Sequence, residues 1–101
     1  MQEAAGILEV FGCVAAFVAA DAAAKAADVR IESIDKNKPA NADSLPVPLI
    51  TCLKIRGSVA AVEAAMDAAA EAAKGVTGVI TRHIIAAPTE DTEKMLRISA
   101  I

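Results

Sequence analysis

The side chains that could carry chemistry in this chain are few. His83 is its only histidine, and Cys13 and Cys52 are its only cysteines. A zinc site needs about four nitrogen, sulfur or oxygen ligands in one place, and one imidazole with two distant thiols is a poor set. The cysteines form neither a C-x-x-C motif nor a disulfide framework. They read as small buried hydrophobes of a reducing compartment. His83 sits in an apolar strand pattern and reads as a structural histidine. Glu63, Asp67 and Glu71 recur every fourth residue, which puts them on one helix face, where water solvates them. Glu90, Asp91 and Glu93 read as acids in the first turn of a short helix, where the backbone dipole favours them. No carboxylate pair lies in an apolar pocket pattern, and no nucleophile stands beside a base. Gly75-Val76-Thr77-Gly78 is a turn rather than a phosphate cradle. The expectation is therefore no catalytic residue, no cofactor and no metal.

The elements that hold these residues follow from hydropathy patterning. Ala4 to Phe11 reads as a strand, and Gly12 breaks it. Val14 to Ala27 reads as an alanine-rich helix of about 14 residues, or about 21 Å. Its polar positions Asp21, Lys25 and Asp28 are spaced four and three and share one face. Asp21 and Lys25 also form a favourable i,i+4 pair. Val29 to Asp35 alternates as a half-buried strand, with Val29, Ile31 and Ser33 opposite Arg30, Glu32 and Ile34. Lys36 to Pro48 reads as a loop, because Pro39, Pro46 and Pro48 exclude a helix or a central strand. Leu49 to Arg56 is a strand. Ser58 is a candidate N-cap for a second alanine-rich helix, and Gly75 is its expected stop. Val76 to Ala86 contains the last strand. Thr89 could cap a short final helix.

The order strand, helix, strand, strand, helix, strand, short helix is the ferredoxin-like split βαβ arrangement of an α+β domain. The halves repeat loosely: Val14-Ala15-Ala16 matches Val59-Ala60-Ala61, and Asp21-Ala22-Ala23-Ala24 matches Asp67-Ala68-Ala69-Ala70. Both long helices then lie on one face of an antiparallel sheet. The opposite face is left to water, a ligand or another subunit.

Bulk properties narrow the function. The 101 residues fit one domain, 1–101. About a quarter of them are alanine, and Phe11 and Phe17 are the only aromatics. A buried methyl contributes about 0.8 kcal/mol, so an alanine core is weak per residue and burial between subunits is the natural supplement. The net charge of −3 is no nucleic-acid footprint. Asp21 and Lys25 interrupt the longest apolar run, so no membrane span is expected. Glu3 and the lack of an early basic region argue against a secretory signal.

An ordered series of pieces resembles the single-domain shell proteins of bacterial microcompartments, the BMC-domain family. The pieces are Gly6-Ile7-Leu8-Glu9, Val14-Ala15-Ala16, Ala20-Asp21-Ala22, Lys25-Ala26-Ala27-Asp28-Val29 and Ile55-Arg56-Gly57. They continue with Val59-Ala60-Ala61-Val62, Asp67-Ala68-Ala69, His83-Ile84-Ile85 and Thr92-Glu93-Lys94-Met95-Leu96. The resemblance implies a cyclic homo-hexamer that tiles with other shell proteins around encapsulated enzymes in the bacterial cytoplasm. It implies a structural role, with a central pore for small metabolites and no catalysis.

The resemblance also assigns positions. Lys25 matches an edge lysine that meets its counterpart in a neighbouring hexamer; the alternative is a solvated lysine paired with Asp21. Where the family usually carries an edge arginine, this chain has Ala87, which predicts weaker flat tiling by this protein alone. Lys36 matches the lysine of a short glycine-rich pore loop. The residues after Lys36 depart from that pattern, since no glycine occurs as far as Pro48. Lengthening such a loop from ~5 to ~13 residues costs only about 0.8 kcal/mol. Asn37, Asn41 and Ser44 would bring neutral polar groups to the pore, Lys36, Lys38 and Asp43 partly cancelling charges, and Pro39 stiffness. The alternative is a loop pointing away from the axis. No cysteine lies in the loop, so no iron–sulfur cluster is expected there. The competing functional reading is a ferredoxin-like regulatory or small-ligand-binding module.

Overall fold

A computed structural model describes residues 3–99. The elements are β1 (Ala4–Phe11), α1 (Cys13–Ala26), β2 (Arg30–Asn37), β3 (Ile50–Gly57), α2 (Val59–Lys74), β4 (Val79–Ile85) and α3 (Glu90–Leu96). They build a four-stranded antiparallel sheet in the order β2-β3-β1-β4. The long helices lie side by side on one face; α1 reaches β2 and α2 reaches β4. This is the α+β split βαβ architecture expected from the order of elements.

The core forms where β1 and β3 meet the two helices. Leu8, Val10, Leu53 and Ile55 point from the sheet, and Ala15, Ala16, Ala19, Ala23, Val62, Ala65, Met66, Ala69 and Ala73 from the helices; all are fully buried. Methyl-sized side chains let the helices approach each other and the sheet closely. Met66 fills the remaining gap. Its Sδ would lie 2.8 Å from a Cβ at Gly6, and Ile55 Cγ1 2.9 Å from it. Gly6 is therefore the space into which the core's one long flexible side chain packs.

Local signals placed most boundaries. Ser58 Oγ accepts from Ala61 N at 3.1 Å, and Thr89 Oγ1 from Thr92 N at 3.2 Å, so both expected caps form. Gly12 adopts φ +83° between β1 and α1, a left-handed conformation that favours glycine. α1 ends at Ala26, so Asp28 lies beyond the helix rather than on its polar stripe. Gly75 ends α2 with φ −75°, in the right-handed region. It is not the left-handed glycine cap, and main-chain bonds from Gly75, Val76 and Thr77 to Ala72 and Ala73 close the turn instead.

Two expectations change in β2. A register shift between Ile31 and Ser33 inserts a bulge, so the strict alternation fails. Ile34, paired with Leu53, turns to the helix side, while Ser33, paired with Lys54, turns to the opposite face. The strand also continues to Asn37, so Lys36 and Asn37 are strand residues and the loop begins at Lys38. That loop contains a 3-10 turn at Ala42–Ser44.

The face opposite the long helices is partly covered by α3. Thr89 caps α3 after the buried Pro88, and the helix buries Leu96 against the sheet.

Candidate functional site

The assigned positions fall at opposite ends of the strands. β1 begins opposite Gly57 and Ile85, pairing Ala4 with Gly57 and Ala5 with Ile85. Ala87 follows β4 at this end and is exposed. The chain leaving α1 returns to the same end, where the Asp28 carbonyl would lie 3.1 Å from a Cβ at Gly57. Lys25, in the last turn of α1, is exposed and pairs with Asp21 at 2.6 Å. An exposed pair of this kind contributes little stability, and the Lys25 ammonium keeps donors free for a neighbour.

The loop lies at the other end, where Phe11 and Asn37 both pair with Ile50. The eight residues of β1 span about 23 Å between these ends. The loop is braced from within. Ala42 N donates to Pro39 O at 3.0 Å, Ser44 N to Asn41 O at 3.0 Å, and Ser44 Oγ to Asn41 O at 2.7 Å. Ala42 is buried, and Gly12 N donates to Leu49 O at 2.9 Å. Lys36, Asn37, Lys38, Asn41, Asp43 and Ser44 are exposed, and Pro39 is half-buried. The structure thus gathers the polar groups of the loop on one firm projection.

Apolar side chains mark two further surfaces. Val14, Phe17 and Val18 are 67%, 54% and 39% exposed, and their spacing of three and four aligns them on the outer side of α1. Val76 and Ile80, on the β4 flank, are 44% and 38% exposed. The first surface lies on the β2 flank and the second on the β4 flank, since α1 reaches β2 while α2 and β4 form the other border.

A model of the BMC domain matches residues 4–88. The chain belongs to the BMC-domain family. It is 41% identical over 95 residues to the bacterial microcompartment shell protein PduA of Citrobacter freundii, covering 94% of this chain and 92% of that protein. It is 36% identical over 98 residues to the shell protein EutM of Salmonella typhimurium, covering 97% of this chain and 93% of that one. Among solved structures, a microcompartment protein from Desulfitobacterium hafniense superposes with a TM-score of 0.71 at 24% identity. The superposition covers all of this chain and half of the other, and supports the fold.

In this BMC domain the most elaborate polar cluster is one that sequence reasoning missed. Arg56, on β3, is buried on the face opposite the long helices. Its Nη1 and Nη2 donate to Glu93 Oε1 and Oε2 at 2.7 and 2.6 Å. Further donations reach Ala4 O at 3.2 Å, Glu3 O at 3.1 Å and Glu32 Oε1 at 3.4 Å. The fork geometry of guanidinium suits this paired recognition of a carboxylate. The Arg56 bonds hold the Glu93 carboxyl below the usual carboxylate range, and the charges of Arg56, Arg97 and Arg30 add to the effect. Glu93 is therefore more than a first-turn acid. The Ile55-Arg56-Gly57 and Thr92-Glu93-Lys94-Met95-Leu96 pieces hold the two ends of this cluster, but nothing in the sequence joined them.

Beside it, Glu3, Asp28, Val29, Arg30, Arg56, Gly57 and Ser58 line a cleft of about 290 Å³. Its cations are already engaged: Arg30 bonds Glu3 at 2.6 Å and Glu32 at 2.7 Å, and Arg56 holds Glu93. The cleft thus offers a ligand no unpaired cation.

The cysteines are half-buried rather than fully buried. Cys52 lies on the α3-bearing face; burial pushes its thiol up, Lys54 opposes this, and Glu9 and Asp35 reinforce it. A protonated thiol is a poor nucleophile and a poor metal ligand. Among the described residues no group of histidine, cysteine and carboxylate side chains is arranged to hold a metal ion. His83 is exposed on β4, opposite Ile7. The Glu63–Asp67–Glu71 stripe is exposed, with Asp67 bonded by Arg82 at 2.7 Å. No helix among the described residues is long and apolar enough to cross a membrane.

Proposed function

We propose that this chain is a structural, non-enzymatic shell protein of a bacterial microcompartment, working in the bacterial cytoplasm as a cyclic homo-hexamer. The observation that carries the hexamer is the pair of unlike apolar surfaces on opposite flanks, Val14–Phe17–Val18 and Val76–Ile80. Two different patches on two flanks favour head-to-tail contact, and such contacts close into rings when the rotation allows. Ring closure also supplies the apolar burial that an alanine core lacks. The family relationship to PduA and EutM supports the same reading.

In this reading the two ends of the strands have different duties. The end bearing Lys25 and Ala87 faces neighbouring hexamers and other shell proteins, with the encapsulated enzymes inside the shell. The opposite end, with Lys36 and Asn37 at the end of β2 and the loop that follows them, surrounds the six-fold axis. Six copies of a braced, glycine-free loop make a fixed constriction rather than a flexible one. Asp43 offsets only one of the Lys36 and Lys38 charges, so six copies add a positive field to the limit that the constriction sets on size.

Lys25→Ala tests the edge. The expected result is an intact hexamer by light scattering and loss of sheets or tubes in electron micrographs; unchanged sheets would refute the assignment. Substituting Lys38 and Asp43 tests the pore. A shift in single-pore conductance is expected, and identical conductance would remove the loop from the axis.

A further inference from the structure

The strip of sheet beneath α3 is charged and polar where a sheet face packed by a helix is ordinarily apolar. Lys54 and Arg56 lie two residues apart on β3 and are 7% and 2% exposed, and Ser33 beside them on β2 is 5% exposed. Long cations are rarely buried unless paired. Here each of the three has a partner on α3 or just after it, besides the bonds of Arg56 to Glu32 and the main chain of Glu3 and Ala4. Arg56 grips Glu93. Ser33 Oγ donates to Leu96 O at 2.6 Å, and Lys54 Nζ donates to Ile98 O at 2.7 Å, with Asp35 4.0 Å away. Ser99 Oγ donates to Ile34 O at 3.0 Å.

These contacts read as recognition of a helix by its two ends. A carboxylate of the first turn enters the Arg56 fork. The carbonyls at the C-terminal end, which have no partner within a helix, accept from Ser33 and Lys54. Apolar anchoring is slight, since Leu96 is the one buried side chain of α3 while Met95 and Ile98 stay 62% and 45% exposed. The occupant is thus held by exchangeable polar bonds, and little hydrophobic area resists its departure.

We infer that Ser33, Lys54 and Arg56 form a cradle for a short acid-headed helix, that α3 is its resident occupant, and that α3 lifts from the folded sheet to admit such a helix from a partner protein. Because α3 is tethered, its high effective concentration keeps the cradle filled until a partner competes.

The probe is a synthetic peptide copying residues 89–99, titrated at millimolar concentration into the isotope-labelled full chain. Wild type should bind it weakly. The Glu93→Gln chain, whose own α3 has lost its charged pair, should bind about tenfold or more tightly. Amide shifts should centre on Ser33, Lys54 and Arg56, and adding Arg56→Gln should abolish them. Equal binding by Glu93→Gln with and without Arg56→Gln, or no binding, would overturn the cradle. Hydrogen exchange supplies the second readout: α3 amides of wild type should exchange at least about tenfold faster than the central amides of β3. Exchange of both at the same rate would show that α3 opens only with global unfolding and would overturn the lifting step.

Discussion

Arg56 and Glu93 face each other through two parallel hydrogen bonds of 2.7 and 2.6 Å, the guanidinium buried in the sheet and the carboxylate carried to it by α3. This pair fixes how the end of the chain crosses the face that the long helices leave open. Removing the cation orphans a carboxylate and two main-chain carbonyls, those of Glu3 and Ala4. Arg56→Ala should therefore destabilise the fold by about 1.5–3 kcal/mol, read as a lower urea midpoint. Arg56→Lys should recover less than half of the loss, because a point charge cannot serve the fork. Full recovery by lysine would contradict the geometric account.

Acid should loosen α3 in a defined window. The groups facing Glu93 are Arg56 from β3, Arg30 and Glu32 from β2, Glu3 ahead of β1 and Arg97 at the end of α3. Bonding to Arg56 lowers the folded pKa of Glu93 below its ordinary value. A lowered carboxyl contributes stability that is complete above its unfolded pKa and disappears as the pH falls through the folded one. Protection of α3 amides against exchange, corrected for the intrinsic rate, should stay level from neutrality to about pH 5 and decline below about pH 4. Glu93→Gln should remove most of that step. Loss of protection on raising the pH instead would contradict the sign.

Gly6 should resist even one added methyl. A Cβ there would sit 2.8 Å from Met66 Sδ and 2.9 Å from Ile55 Cγ1, both in the core. Gly6→Ala should cost about 1–3 kcal/mol through overpacking. Combining it with Met66→Ala should give less destabilisation than the two single changes added together, since the second change clears room for the first. Strict additivity in thermal or urea unfolding would show that the two sites do not share this space.

Sequence patterning was most reliable where the physics is local. Ser58 and Thr89 bond main-chain groups three residues ahead, so their caps were legible, as was the stop at Gly12. The bulge in β2 was not, because it arises from pairing with β3 and moves Ile34 and Ser33 to the faces opposite those their alternation predicts. Three prolines correctly excluded a long helix between β2 and β3, yet the buried Ala42 and its 3-10 turn depend on the folded loop. The clasp on α3 joins residues 37 apart in sequence, and no spacing rule connects Arg56 to Glu93. The outer stripe Val14–Phe17–Val18 was hidden for another reason. In a helix apolar on nearly every side, hydropathy offers little contrast to say which apolar residues face outward.

The central claim is ring closure through unlike apolar flanks, and the mass of the assembly in solution tests it most directly. Light scattering on the full chain should give six subunits of 10.3 kDa, about 62 kDa. Phe17→Asp, which places a charge on the exposed α1 surface, should reduce this to the folded monomer. A wild-type mass of one or two subunits at micromolar concentration, or a hexamer indifferent to Phe17→Asp, would contradict the account.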